Sequence, residues 1–342
     1  MNTRRGIIPA AAYATALLLV CLTLPVRAGA QPMQIVVSTP GPGNLTYLPV
    51  DLIGKIGADR AEGAVVKVRH TGGGSVALRD LATLNADFAV AGLPAAMSLR
   101  ANGGKVTAIA AVSGDPLFVL MVRTDLKGSV KKVSDLRGRA IGVNTSSLAS
   151  KTTSQQLAEL VLKRGGVRSD EVRIVAAGQS WDAQSSVLSG RIVDAVMGDE
   201  PFASRLQAAN RVFFLVNLAD PKDRRDIPGS GFLHAALETR DELLAKHPAK
   251  AEKMVRILRR TLEWMAKASP EEIADKAGAR DPEERRWLVS TLRKYPRMYS
   301  PDGRFSSRQL EETALFFRES SPEQADLRLA DMIQDRWCGR AE

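Results

Sequence analysis

Residues 134–166, SDLRGRAIGVNTSSLASKTTSQQLAELVLKRGG, hold a strand, a polar turn and a helix in succession. RAIGV at 139–143 reads as a short buried strand entered through a charged turn. From about Ser150 the apolar residues Leu157, Leu160, Val161 and Leu162 take helical spacing, and Gly165 and Gly166 stop the helix. Between the two lies NTSSLAS at 144–150, a run of small hydroxylic residues at a strand-to-helix junction. Such a junction aims unpaired backbone N–H groups and hydroxyls at one point, so it can hold an anion or a polar headgroup. One of these residues is needed as the helix N-cap. The hydroxyls of Thr145, Ser146, Ser147 and Ser150 exceed that need, and the stretch is read as a ligand site.

Working outward, strands and helices alternate on both sides. Strands are expected at 34–38, 64–69, 86–91 and 106–112, with helices beginning at Leu48 and spanning 75–84. A second run of the same kind has strands at 118–123, 139–143, 171–175, 193–197 and 212–216, with a helix near 181–189. This βαβ order predicts parallel sheets with right-handed crossovers. From Asp241 onward the chain reads as amphipathic, charged helix to its end. Its 342 residues, 44% of them hydrophobic, suffice for two domains with a large core.

The first thirty residues have the form of an export signal. Arg4 and Arg5 supply a positive start, residues 10–24 an apolar run, and Ala28, Gly29 and Ala30 a cleavage site before Gln31. The apolar run is short for a membrane span and is broken by Pro25. Val20 stands where a lipoprotein signal needs a small residue before Cys21, which argues against lipidation. Without the signal Cys338 is the only cysteine, so the exported chain is expected to have no internal disulfide and a free, inert thiol. The formal charge of +10 falls to +7 once the three arginines of this segment are set aside. The remaining excess is scattered and aromatic residues make up only 5%, so no nucleic-acid partner is expected.

The turns at the carboxyl ends of the strands carry the functional reading, because ligands of open α/β sheets bind outside those ends. They are TPGPGNLT at 39–46, HTGGGS at 70–75, GLP at 92–94, the 144–150 stretch, AGQSW at 177–181 and GDEP at 198–201. Singly each is ordinary loop chemistry. Six of them across two α/β halves imply a two-walled cleft, with glycine allowing close approach and the polar residues orienting a ligand.

ADFAVAGLPAAMSLRANGG at 86–104, VSDLRGRAIGVNTSSLASKTTSQQLAELVLKRGGV at 133–167 and SVLSGRIVDAVMGDEPFASRL at 186–206 resemble solute-binding proteins of ABC importers. The similarity is to the nitrate/sulfonate/taurine and thiamine-pyrimidine-like branch and runs from about Gln34 to Ala268. It implies an α/β type II periplasmic binding protein fold: two lobes, a two-strand hinge and a cleft that closes on ligand. Lobe 1 would comprise 31–117 plus 231–342 and lobe 2 118–230, with hinge crossings near 113–118 and 227–232. By position, the resemblance places Pro40, Gly41, Gly43, Asn44, Thr46, Gly92, Leu93 and Pro94 on one wall. Ser146, Ser147, Ser150, Trp181, Gly198, Asp199 and Glu200 would form the other. It implies a small organic or oxoanion solute, a membrane permease as partner, a periplasmic location, a monomer, and neither cofactor nor catalysis.

Two departures stand out. Family members often carry an aromatic residue before the Glu-Pro pair, where this chain has Asp199. An acid at the cleft disfavours a small dianion and favours a cationic or hydroxylated group; the residues leave open whether Asp199 and Glu200 face the cleft or cap the next helix. TGGGS at 71–75 is also similar to receptors of TRAP-type importers, and a sensor role stays open too. Enzyme signatures fail on chemistry. No Gly-Lys-Ser/Thr phosphate loop or Gly-x-Ser-x-Gly elbow is present. His70, His234 and His247 lack metal-ligand spacing and read as surface or structural residues, and Glu283-Glu284 and Glu311-Glu312 as solvated helix faces. The cysteine-rich motif of the cytosolic enzymes that make the thiamine pyrimidine is missing.

Overall fold

The chain builds one sheet plan twice. A computed structural model describes residues 31–338; the export-signal reading at 1–30 lies outside the described residues. The strands among these are β1 (Met33–Thr39), β2 (Ala64–His70), β3 (Phe88–Gly92), β4 (Val106–Ser113), β5 (Phe118–Arg123), β6 (Ala140–Val143), β7 (Arg173–Ala176), β8 (Ala195–Asp199), β9 (Val212–Asn217) and β10 (Ala235–Arg240). One sheet has the order β2-β1-β3-β10-β4 and the other β7-β6-β8-β5-β9. Each begins as parallel βαβ units, with β1 parallel to β2 and β3, and β6 parallel to β7 and β8.

Both sheets are mixed, which corrects the all-parallel expectation. β10 runs antiparallel to β3 and β4, and β5 antiparallel to β8 and β9. Helical crossovers make neighbours parallel only within one sheet. β5 and β10 arrive directly from the other sheet, through 114–117 and through the return segment 218–234, and each lies between two strands of the sheet it joins. β10, AALETR, was not expected as a strand, because Glu238 and Arg240 interrupt its apolar pattern.

The strands nearest the crossings are apolar runs buried on both faces. β3, β4 and β5 have no exposed residue, as suits sheets covered by helices on each side. The helix Pro248–Lys267 lays Ala251, Met254, Val255, Leu258 and Leu262 against the first sheet at helical spacing. Later in the chain, the helix Ser307–Ser320 serves both halves. Its Phe316 stacks on Phe232, 4.3 Å between centroids, in the core under the second sheet, while Phe317 enters the core of the first. Cys338 is free but packed: its Sγ donates to Gly303 O (3.2 Å) and Ile109 O (3.5 Å), and burial pushes the thiol up to about 12.

Candidate ligand site

The parallel strands of both sheets point their carboxyl ends at one junction, where the loop after β1 meets the loop after β6. Asn44 in the first donates from Nδ2 to Asp199 Oδ2 at 2.7 Å, and Asn144 in the second donates from Nδ2 to Asp199 Oδ1 at 2.9 Å. Both asparagines are fixed from behind. Asn44 Oδ1 accepts from Thr46 N at 2.9 Å. Asn144 Oδ1 accepts from Gln184 Nε2 at 3.1 Å, its N–H donates to Ser154 Oγ at 2.9 Å, and its carbonyl accepts from Gln179 Nε2.

Asp199 is 1% exposed at the end of β8. Burial, together with the charge of Glu200, raises its carboxyl to about 7 against the opposing hydrogen bonds from Asn44 and Asn144. Glu200 turns away: it accepts from Ser204 N (3.0 Å) and Ser204 Oγ (2.7 Å) in the first turn of the helix Phe202–Ala208. The two readings of this acidic pair therefore divide between its members, Asp199 in the junction and Glu200 at the helix end.

Around Asp199 is a cavity of about 20 Å³, lined by Tyr47, Gly74, Gly92, Ala95, Phe118, Asn144, Thr152, Thr153, Ser154, Gln179, Asp199 and His234. That is room for one water-sized group. His234 is not a surface histidine. It is 1% exposed, 4.7 Å from the Phe118 ring centroid and 3.4 Å by Nδ1 from Thr46 Oγ1, and burial lowers it to about 3. Thr153 Oγ1 is buried without a hydrogen-bond partner. A Cβ on Gly92 would stand 2.1 Å from that hydroxyl, so only glycine admits it there.

Outside the Asn44–Asp199 bond opens a chamber of about 650 Å³. Its walls come from four places: the loop and helix after β1 (Gly43, Leu45, Leu48, Asp51, Lys55), the end of β2 (Val68, His70), the ends of the second sheet (Trp181, Pro201, Phe202, Arg205) and residues 277–288, including Glu284, Trp287 and Leu288. Arg205 lies over the Trp181 ring at 4.2 Å and pairs with Glu283 at 3.8 Å. Glu283 and Glu284 are exposed, as read from sequence; Glu284 also borders this chamber. His70 Nε2 is 3.5 Å from Asp51 Oδ1; burial raises Asp51 to about 7 and lowers His70, which weakens the ion-pair character of that contact near neutral pH.

The other expected residues are distributed as follows. Pro40 and Gly41 are buried where the two loops touch, Pro40 accepting at its carbonyl from Gly72 N at 2.6 Å. Leu93 enters the core, and Pro94 O accepts from Gln156 Nε2 at 3.2 Å. Gly198 is buried in β8 beneath Met121 and Gln184.

At the stretch 144–150 the helix begins later than the sequence reading placed it. The helix spans Thr153–Arg164 and its N-cap is Thr152, whose side chain accepts from Gln155 N, so Ser146, Ser147 and Ser150 lie on the loop before it. Ser146 and Ser150 are exposed, and Ser147 Oγ accepts from Ala149 N within its own loop. The backbone there does bridge the halves, Ser146 N donating to Gly72 O at 2.8 Å. The hydroxyls at the cavity are those of Thr152, Thr153 and Ser154, one turn further on.

A family model described as NMT1/THI5 like matches residues 60–273. The chain belongs to the NMT1/THI5-like family. No curated protein matches it. Among solved structures, a Bordetella bronchiseptica RB50 protein superposes with TM-score 0.80 at 21% identity, covering 90% of this chain and 96% of that one. The alkanesulfonate-binding protein SsuA of Xanthomonas axonopodis pv. citri, solved with MOPS bound, gives 0.69 at 14% identity, covering 90% and 99%. The periplasmic nitrate-binding protein NrtA of Synechocystis PCC 6803 gives 0.66 at 10%, covering 90% and 87%. At these identities the likeness establishes for this NMT1/THI5-like chain the two-lobed periplasmic binding protein fold.

Proposed function

We propose that this NMT1/THI5-like protein is the exported solute-binding component of an ABC importer. Lobe 1 (31–117 plus 231–342) and lobe 2 (118–230) close on a small-molecule solute and present it to a membrane permease, without catalysis. The observation that carries this reading is the convergence of Asn44 and Asn144, from equivalent loops of two like sheets, on the single buried carboxylate of Asp199. A contact made by one residue from each half, beside a chamber of ligand size, is what closure on a solute requires. Of the residues expected in the cleft, Asn44, Gly92 and Asp199 surround the inner cavity or its gate, and Gly43 and Trp181 border the outer chamber.

The test is a thermal-shift screen of the exported chain over sulfonates, nitrate, carboxylates, pyrimidines and amines, with small-angle scattering to follow compaction. Ligand at one hundred times its Kd adds about 2.7 kcal/mol to the native state. A screen without a single shift, and a scattering curve unchanged by every compound, would reject the reading. Export carries its own check: N-terminal sequencing of the periplasmic protein should begin at or near Gln31, and an intact Met1 or a lipid on Cys21 would contradict it.

A further inference from the structure

Resting on the cleft assignment above, we infer that the solute is an amine or amidine with an apolar body: its N–H group replaces Asn44 on Asp199, and its body fills the outer chamber. The inner cavity has the wrong charge for an oxoanion. Asp199 is the only carboxylate lining it, and neither lysine nor arginine lines it. His234, the remaining candidate cation there, is kept neutral by burial. Above about pH 7, where Asp199 is ionised, an anion placed at this point would meet a carboxylate and no compensating charge, in a site where burial strengthens the repulsion.

Hydrogen-bonding capacity points the same way. Gln179 Oε1, an acceptor, is buried without a partner, as is the hydroxyl of Thr153, a residue 5% exposed that lines the cavity. With both Asp199 oxygens these make a surface rich in acceptors, which a ligand satisfies by supplying N–H donors. Asn44 already plays that part, its amide Nδ2 donating to the carboxylate at 2.7 Å. An ammonium or amidinium group makes the same bond with a full charge behind it, and so competes with the amide.

The gate also sets the shape of the ligand. Asn44 lines the outer chamber while bonding to Asp199 of the inner cavity, so swinging its side chain aside joins the two spaces. A cavity of about 20 Å³ accepts only the donor group. The chamber of about 650 Å³ takes the rest, against Leu48, Trp181, Phe202, Trp287 and Leu288. In that chamber Arg205 is committed to Trp181 and Glu283 and Lys55 to the carbonyl of Ala277, while Asp182, Asp281 and Glu284 border the same space beside Asp51, whose carboxyl burial raises to about 7, so the acids outnumber the cations.

The experiment is calorimetry on the exported chain with phenethylamine and benzamidine against benzenesulfonate, taurine and nitrate, from pH 5.5 to 8. The titratable groups facing Asp199 are Glu200 beside it, Tyr47 from the loop after β1 and His234 before β10. Protonation of Asp199, whose carboxyl titrates at about 7, should weaken the amine probes as the pH falls below that value, approaching tenfold per unit. Asp199→Asn should weaken them at least tenfold at pH 8 and flatten the profile; the wild-type profile alone decides the matter if that variant does not fold. Binding of sulfonates or nitrate with the amines silent overturns this inference and leaves the solute-binding reading intact. Amine binding that ignores both pH and Asp199→Asn overturns it as well. Silence across the wider thermal-shift screen defeats the solute-binding reading itself.

Discussion

Asn44 and Asn144 stand at the same station of two sheets with the same strand plan, and both donate to the same carboxylate, yet they hold different things together. Asn144 shares a sheet with Asp199: β6, which it follows, pairs with β8, which ends in Asp199. Its bond lies within one sheet's half and needs nothing from the other. Asn44 reaches Asp199 from the other sheet, so its bond exists only when the loops meet. The same amide–carboxylate chemistry serves architecture on one side and closure on the other, and connectivity makes the difference.

The carboxylate they share gives the largest expected effect. Its folded-state value of about 7, against an ordinary 3.8, means the native protein keeps a proton that the unfolded chain gives up between those values. Stability from this group is complete below 3.8 and is lost as the pH rises through 7. Relative to Asp199→Asn, the wild type should therefore lose stability by up to about 4 kcal/mol from pH 4 to pH 7, roughly 1.4 kcal/mol per unit. His234, depressed to about 3, has the opposite sign, but it is common to both proteins and cancels in the difference. Urea midpoints at each pH measure this, and parallel curves for the two proteins would show that Asp199 is ionised throughout.

Next comes Asn144→Ala, which orphans Asp199 Oδ1 and Gln184 Nε2 in a buried site and should cost roughly 3 kcal/mol by chemical denaturation. Asn44→Ala should cost about 1 kcal/mol, because water replaces the bond once the cleft opens, and its main effect should be a more open scattering profile. Equal losses from the two substitutions would break the distinction between them. Last, Thr152→Ala should remove about 1 kcal/mol as a lost N-cap, whereas the Ser146→Ala/Ser147→Ala pair should stay within about 0.5 kcal/mol as a surface change. The same denaturation series ranks all of these.

Local pattern made much of this legible. The apolar runs at β4 and β5 and the helix Trp181–Ser189 fell where periodicity placed them, because each buries a face whose spacing is written in its own residues. Asn44 and Asp199 were among the expected cleft residues because the family resemblance placed them there by position, in turns at strand ends. Thr153 and His234 were not, since nothing local distinguishes a hydroxyl one turn into a helix, or a histidine after a crossing, from structural filler. The outer chamber was hidden for a different reason. Trp287 and Glu284 belong to a charged helix, Pro282–Lys294, and only the tertiary return of that helix toward Trp181 and Phe202 turns its face into a wall.

The helix Ser307–Ser320 limits how such a protein can move. Its neighbouring phenylalanines are anchored in separate cores, and Arg164 of the second half adds an ion pair to Glu319 at 3.3 Å. Peeling either ring from its core forfeits about 1.5–3 kcal/mol of burial, so this edge behaves as the spine of a book. None of the residues bordering the outer chamber comes from that helix. On the proposed function the pages part on the chamber side, and a solute passes Trp181 and Trp287.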